Sequence, residues 1–173
     1  RQMCIRDSDS PYIDYATFHL WIQNWGWYDP LQAQATFDDA ILTASNYIQD
    51  HIEVANELNI PIVLEEFGIS RDENDYHHGS RVTYRNKYFE FIFSTFLNYA
   101  QVVPQVSGVN FWAWGGEGRP KDAGAIWEQG DDFIGDPPHE RQGWYSIYDK
   151  DSTTLNLISE YSSKFSELSR IIK

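Results

Sequence analysis

The chain has 173 residues, 42% of them hydrophobic and 16% aromatic, enough for one domain with a buried core and too patterned for a disordered segment. Thirteen Lys and Arg stand against 26 Asp and Glu, a formal net charge of −13, so a polyanion such as nucleic acid is repelled. No apolar run approaches the roughly 20 residues needed to cross a bilayer, and the single cysteine, Cys4, excludes an internal disulfide framework or a thiolate metal cluster.

Residues 1–11 are polar and patternless, with no signal-like apolar region, and are expected to be an unstructured or artefactual leader. Residues 12–21, YIDYATFHLW, are rich in aromatic and β-branched side chains and too short for a helix, so they predict a buried strand. An aromatic stretch over 23–35 has no period and reads as a loop. Thr36, with Asp39 three residues on, forms a helix start, and Phe37, Ile41, Ala44, Ile48, Ile52, Ala55 and Leu58 recur at helical spacing until Asn59. Residues 61–67, PIVLEEF, are a near-continuous apolar run closed by two acids, which suits a strand buried on both faces. A polar loop over 70–80 precedes a helix over 81–101, with Tyr84, Tyr88, Phe91, Thr95, Phe96 and Tyr99 on its inner face. Residues 108–114, GVNFWAW, predict a third strand, followed by a Gly-, Pro- and Asp-rich loop over 115–142. A last helix over 153–172 turns Leu155, Ile158, Tyr161, Phe165, Leu168 and Ile172 inward.

Strands alternating with helices predict an α/β fold. A doubly wound sheet and part of a (β/α)8 TIM barrel compete, and the barrel is favoured because all three strands run into polar and aromatic loops. The chain has neither GxGxxG nor GxxxxGK[ST], so a nucleotide-binding sheet lacks its usual phosphate loop.

Period two along 61–67 puts Glu66 in file with Ile62 and Leu64, a carboxylate closing an apolar row, where a hydrogen-bonded but desolvated acid suits a nucleophile or base. Glu65, on the opposite file, reads as a structural partner. His19 and Trp21 share a face at the end of the first strand. Trp112 and Trp114 close the third strand, and an indole beside a carboxylate is what a sugar ring needs for stacking. Trp25, Trp27 and Tyr28 in the first loop read as a binding rim. The group Asp72, Glu73, Asp75, His77 and His78 matches no zinc spacing, and Asp131, Asp132, Asp136 and Glu140 form no calcium loop, so no metal is expected. No Gly-x-Ser-x-Gly elbow is present.

These segments resemble the C-terminal part of a glycoside hydrolase family 5 catalytic domain, most closely its endo-β-1,4-mannanase branch. Residues 62–68, IVLEEFG, resemble the family's seventh strand, whose Glu-Phe-Gly ending carries the nucleophile, which implies Glu66. Residues 14–21, DYATFHLW, resemble the sixth strand with its His-x-Tyr pair; His19 matches and Trp21 stands at the Tyr position. Residues 108–116, GVNFWAWGG, resemble the eighth strand, whose Trp is the stacking floor, which implies Trp112. The tail QGWYSIYD over 142–149 is also similar to the mannanase branch.

The resemblance implies that 12–173 form only the last three units of a (β/α)8 barrel. It implies a retaining hydrolase of internal β-1,4 linkages in mannan, glucomannan or galactomannan, with Glu66 attacking, His19 and Trp21 orienting it, and Trp112, Trp114, Trp25 and Trp27 binding sugar. No cofactor is implied. The family's acid/base Asn-Glu-Pro motif does not occur in the sequence, so the chain is expected to be truncated and inactive alone, and monomeric and secreted when full length. A family 5 cellulase or β-glucanase remains open, as does a non-catalytic polysaccharide-binding domain.

Overall fold

A computed structural model describes residues 12–171 of the chain. The leader expected over 1–11, with Cys4, lies outside the described residues, as does Ile172. Among the described residues, β1 (Ala16–Leu20), β2 (Ile62–Phe67) and β3 (Val106–Val109) form one parallel sheet in that order. Helix α1 (Ala33–Leu58) connects β1 to β2, and α2 (Thr83–Ala100) connects β2 to β3. A small second sheet pairs β4 (Trp114–Gly116) with β5 (Ile147–Tyr148), and α3 (Ser152–Ile171) follows.

The helices cover one face of the sheet. Phe18, Leu20 and Ile22 after β1, with Ile62, Leu64 and Phe67 of β2, are buried against Ala40, Ala44, Ile48 and Ile52 of α1 and Tyr88, Phe89, Ile92, Phe93 and Phe96 of α2. Each such aliphatic or aromatic side chain contributes about 1.5–3 kcal/mol on burial. The opposite face, carrying Thr17 and His19, is exposed. That is the face a closed barrel turns to its axis.

Several expected boundaries move for local reasons. Helix α1 starts before Thr36, because Asp29 Oδ1 accepts from the Leu31 N–H at 2.9 Å and Pro30 opens a 3-10 turn that runs into the helix. The Thr36 hydroxyl instead bonds the backbone of Asp29 and Gln32. The stop at Asn59 stands: its φ of 53° is left-handed and its N–H returns to the last turn. Helix α2 is capped by a distant residue, Asp72, which accepts from the N–H groups of Thr83 at 3.1 Å and Tyr84 at 3.0 Å. Its buried face is Arg85, Tyr88, Phe89, Ile92, Phe93 and Phe96, not the row through Tyr84, Phe91, Thr95 and Tyr99. Phe89 and Phe93 pack on Phe67 with ring centroids 4.8 and 5.6 Å away, and this contact sets the rotation. Arg85 is tolerated there because it donates to the carbonyls of Ile69 and Ser146, both at 3.2 Å.

The third expected strand is two pieces. The strand ends at Val109, the chain bends at Trp112, and Trp114 belongs to β4. Beyond the open edge of β3 lies a groove of about 730 Å³ between α2, β3 and α3, lined by Phe93, Phe96, Val109, Ile158, Tyr161 and Phe165 among others.

Candidate active site

Two acids and a histidine meet where β1 and β2 end. The β1–β2 register pairs Phe18 with Leu64 but His19 with Glu66, so Glu65 has no partner and β2 carries a bulge. The β3 side shows the same extra residue: Asn110 N–H donates to Leu64 O at 2.9 Å, and Trp112 N–H to Phe67 O at 2.8 Å. Two steps of one strand therefore match three of the other.

The bulge changes which acid faces where. Leu64 and Phe67 both point into the helix-covered core, fully buried, so strict alternation is broken between them. Glu66 is consequently not in file with Ile62 and Leu64, and Glu65 is not on the far side from it. Both carboxylates reach His19. Glu66 Oε2 lies 3.3 Å from His19 Nδ1, and Glu65 Oε2 lies 3.5 Å from Nε2. Glu66 is the more enclosed of the two, 28% exposed against 47%.

An aromatic wall stands against Gly68, two residues beyond Glu66. Trp21 and Trp112 meet edge to face at 6.2 Å, and Tyr145 packs on Trp21 at 5.6 Å. Gly68 is what allows Trp112 so close: a Cβ at Gly68 would stand 2.6 Å from the Trp112 carbonyl oxygen. The Trp112–Ala113 peptide is cis.

Sequence reasoning assigned no role to the groups that support this wall. Tyr145 donates to Asn24 Oδ1 at 2.6 Å, and burial, then Glu140 and Asp136, push its hydroxyl well above the ordinary phenol range, so it acts as a neutral donor. Trp144 stacks on Tyr145 at 4.7 Å and donates to Asn74 Oδ1 at 3.0 Å, while Gln23 donates to the same oxygen at 3.2 Å. Asp136 gathers the loop: it accepts from the N–H groups of Gly143 and Tyr145 and from the Ser146 hydroxyl, at 2.9, 2.7 and 2.6 Å. The similarity of 142–149 to the mannanase branch was the signal that pointed toward this segment.

The remaining candidates sit apart from this cluster. Trp25 and Trp27 meet each other at 5.0 Å and Tyr47 of α1 at 5.3 and 5.8 Å, and Tyr28 is buried against Phe37. Part of the loop's aromatic surface is thus helix packing, a burial that periodicity did not foretell. Trp114 is 55% exposed at the start of β4. Asp72 caps α2, and Asp75 lies 2.8 Å from His77. Asp131 and Asp132 accept from loop N–H groups of Glu128 and Arg119.

With this geometry in view, the family described as GH family 5 beta-mannosidase-like matches residues 2–170. The chain belongs to that family. Mannan endo-1,4-beta-mannosidase 5 of Arabidopsis thaliana is 26% identical over 156 residues, covering 90% of this chain and 32% of the relative. Mannan endo-1,4-beta-mannosidase 4 of Solanum lycopersicum is 33% identical over 106 residues, 61% of this chain and 24% of the relative. The glycoside hydrolase family 5 mannosidase from Rhizomucor miehei superposes with a TM-score of 0.87 at 34% identity, covering 96% of this chain and 41% of that one. A mutant of that enzyme in complex with mannosyl-fructose gives 0.86 at 32% identity, with the same coverage.

This family 5 chain thus spans about a third of the length of the first of these relatives. The structural relatives are (β/α)8-barrel enzymes, and the parallel sheet with its helices corresponds to part of such a barrel.

Proposed function

We propose that this chain is the nucleophile-bearing part of a retaining hydrolase that cuts internal β-1,4 linkages of mannan, glucomannan or galactomannan. The observation that carries the reading is the placement of Glu66: near the end of a parallel strand, next to the bulge residue Glu65, 3.3 Å from His19 and two residues before Gly68, against which Trp21 and Trp112 pack. The names of the relatives supply the sugar.

In the double displacement, the Glu66 carboxylate attacks the anomeric carbon as a second carboxylic acid protonates the departing oxygen. That second group then takes a proton from the water that releases the glycosyl ester. Retaining enzymes hold the pair about 5–5.5 Å apart. We place the acid/base partner in the part of the relatives' length that this chain does not span, because Asn-Glu-Pro does not occur in these 173 residues. The apolar groove beside β3 and the exposed inner face of the sheet support three units of eight as this chain's share of the barrel.

His19 and Trp21 orient Glu66, and Trp112 stacks the reacting sugar. Trp114, and Trp25 with Trp27 held on Tyr47, serve neighbouring sugars. A polymeric substrate fits a secreted, extracellular or periplasmic enzyme, monomeric at full length.

The test completes the chain to a whole barrel and compares cleavage of glucomannan, mannan and carboxymethylcellulose with and without Glu66→Gln. Loss of mannan cleavage by several orders of magnitude in the variant is the expected result. A variant that cuts as well as its parent sinks the assignment of Glu66, and a preference for the cellulose derivative moves the enzyme to the cellulase branch.

A further inference from the structure

We propose that the stacked pair Trp127 and Phe133, on the loop between β4 and β5, is a second carbohydrate platform that holds an uncharged stretch of the β-linked polysaccharide outside the cleft. The proposal rests on the reading of this chain as part of a polysaccharide hydrolase and adds a place where the polymer is held.

The pair is exposed although its rings are of the kind that cores bury. The two rings stack with centroids 5.2 Å apart and planes 18° from parallel. Phe133 is 76% exposed, and Ile126, next to Trp127 in the chain, is 52% exposed. Single apolar side chains at a surface need no explanation, whereas a stacked pair with a third beside it in sequence is a patch. The Trp127 indole N–H donates to the Asp131 carbonyl oxygen at 3.2 Å, and Phe133 has no polar atom in its side chain, so both rings offer their faces. Aromatic faces are what the C–H side of a pyranose stacks on.

The loop holds this surface in place before any ligand arrives. Gly124 N–H donates to Gln142 O and Gln142 N–H to Ala125 O, both at 2.8 Å. Asp131 N–H donates to Glu128 O at 3.0 Å, and Glu128 N–H returns to Asp131 Oδ2 at 2.9 Å. Arg119 N–H donates to Asp132 Oδ2 at 3.0 Å, and a Cβ at Gly118 would stand 2.5 Å from the Phe133 carbonyl oxygen. A platform fixed in this way loses little freedom on binding.

Its place in the fold ties it to the cleft. A Cβ at Gly135 would stand 2.8 Å from both the Cβ and the carbonyl oxygen of Ala113, so this part of the loop lies directly against the residue that follows Trp112. Phe133 is two residues from Gly135, at most about 7 Å of backbone. The loop follows the C-terminal ends of the parallel strands, the barrel face that carries active sites. A polymer seated on Trp112 therefore has Phe133 within a short run of sugars.

Charge selects the polymer. A hollow of about 80 Å³ beside Trp127 is lined by Lys121, Asp122, Glu128, Asp131 and Asp132 among others. Four carboxylates against one ammonium repel uronate or sulfate groups, whereas the hydroxyls of a neutral sugar donate to carboxylate oxygens.

Gel retardation by soluble polymers tests this with the full 173-residue chain, since no bond has to break. The expected parent is retarded by glucomannan and not by polygalacturonate, and Phe133→Ala and Trp127→Ala each bind glucomannan roughly 2–10-fold more weakly. Val102→Ala trims an equally exposed side chain that precedes β3, at the opposite end of the sheet, and binds as the parent does. A parent that glucomannan does not retard, equal retardation by polygalacturonate, or a Phe133→Ala variant that binds as tightly as the parent overturns the proposal. So does a chain that uses the patch to pair with a second copy, seen as a dimer that Phe133→Ala makes monomeric with no retardation in either. Retardation reads binding and the Glu66→Gln assay reads cleavage, so either reading can fail alone.

Discussion

Gly68→Ala is the smallest change that separates the aromatic wall from the strand beside it. Gly68 follows β2, and the added methyl would stand 2.6 Å from the Trp112 carbonyl oxygen and 3.5 Å from the Trp21 ring. Ordinary van der Waals contact begins near 3.4 Å, so the Trp112 backbone must retreat by about 0.8 Å. That backbone is tied to the same strand through Trp112 N–H and Phe67 O at 2.8 Å, and the retreat stretches this bond. Forced overpacking of this kind costs about 1–3 kcal/mol, a fall in melting temperature of roughly 2–12 °C for a domain of this size. Displacing the stacking surface by close to an ångström costs on the order of 100-fold in turnover of the completed enzyme. Thermal unfolding followed by circular dichroism gives the first number. The near-ultraviolet signal of the Trp21–Trp112 pair, 6.2 Å apart, reports the displacement directly. An alanine variant with the parent's melting temperature and an unchanged tryptophan signal refutes the account of why glycine stands there.

Asp136→Ala removes one buried acceptor serving three donors, Gly143 N–H, Tyr145 N–H and the Ser146 hydroxyl, and is expected to cost about 3 kcal/mol, read as a lower urea midpoint. His51 stacks on Phe18 at 4.5 Å, and burial lowers its pKa from the ordinary value of 6.5. The unfolded chain therefore takes up this proton first. His51's contribution is whole above the ordinary value and is lost as pH falls from there through the folded pKa. Urea midpoints across that window fall for the parent and fall less for His51→Gln.

The sequence made β2 easy to find and its detail hard. An apolar run of strand length closed by acids and glycine marks a buried strand, and the two acids mark its mouth. A bulge leaves no trace in composition, so alternation put Glu65 and Glu66 on opposite faces, whereas the backbone inserts one residue and turns both toward His19. On β1 the core-facing file of Phe18 and Leu20 keeps its period, with Thr17 and His19 exposed on the other face, as alternation requires. Helix α2 has aromatic residues on nearly every side, so its pattern allowed two faces; Phe67 chose between them, a contact that no local window contains. Arg85 was invisible for a related reason, since a buried guanidinium needs the distant carbonyls of Ile69 and Ser146. The Trp25–Trp27–Tyr47 packing joins a loop to a helix some twenty residues on, beyond the reach of periodicity.

The loop that carries Trp144 and Tyr145 has two kinds of closure, with consequences for the order of folding events. The bonds of Asp136 span 7, 9 and 10 residues, a range in which chain closure is fast and needs little of the rest of the molecule. Tyr145 to Asn24 spans 121 residues and Trp144 to Asn74 spans 70, so neither forms until β1, β2 and their crossovers have assembled. The segment is thus prefolded by its own aspartate and docked late, and the arrival of Tyr145 on Trp21 serves as an optical clock for the last stage of assembly.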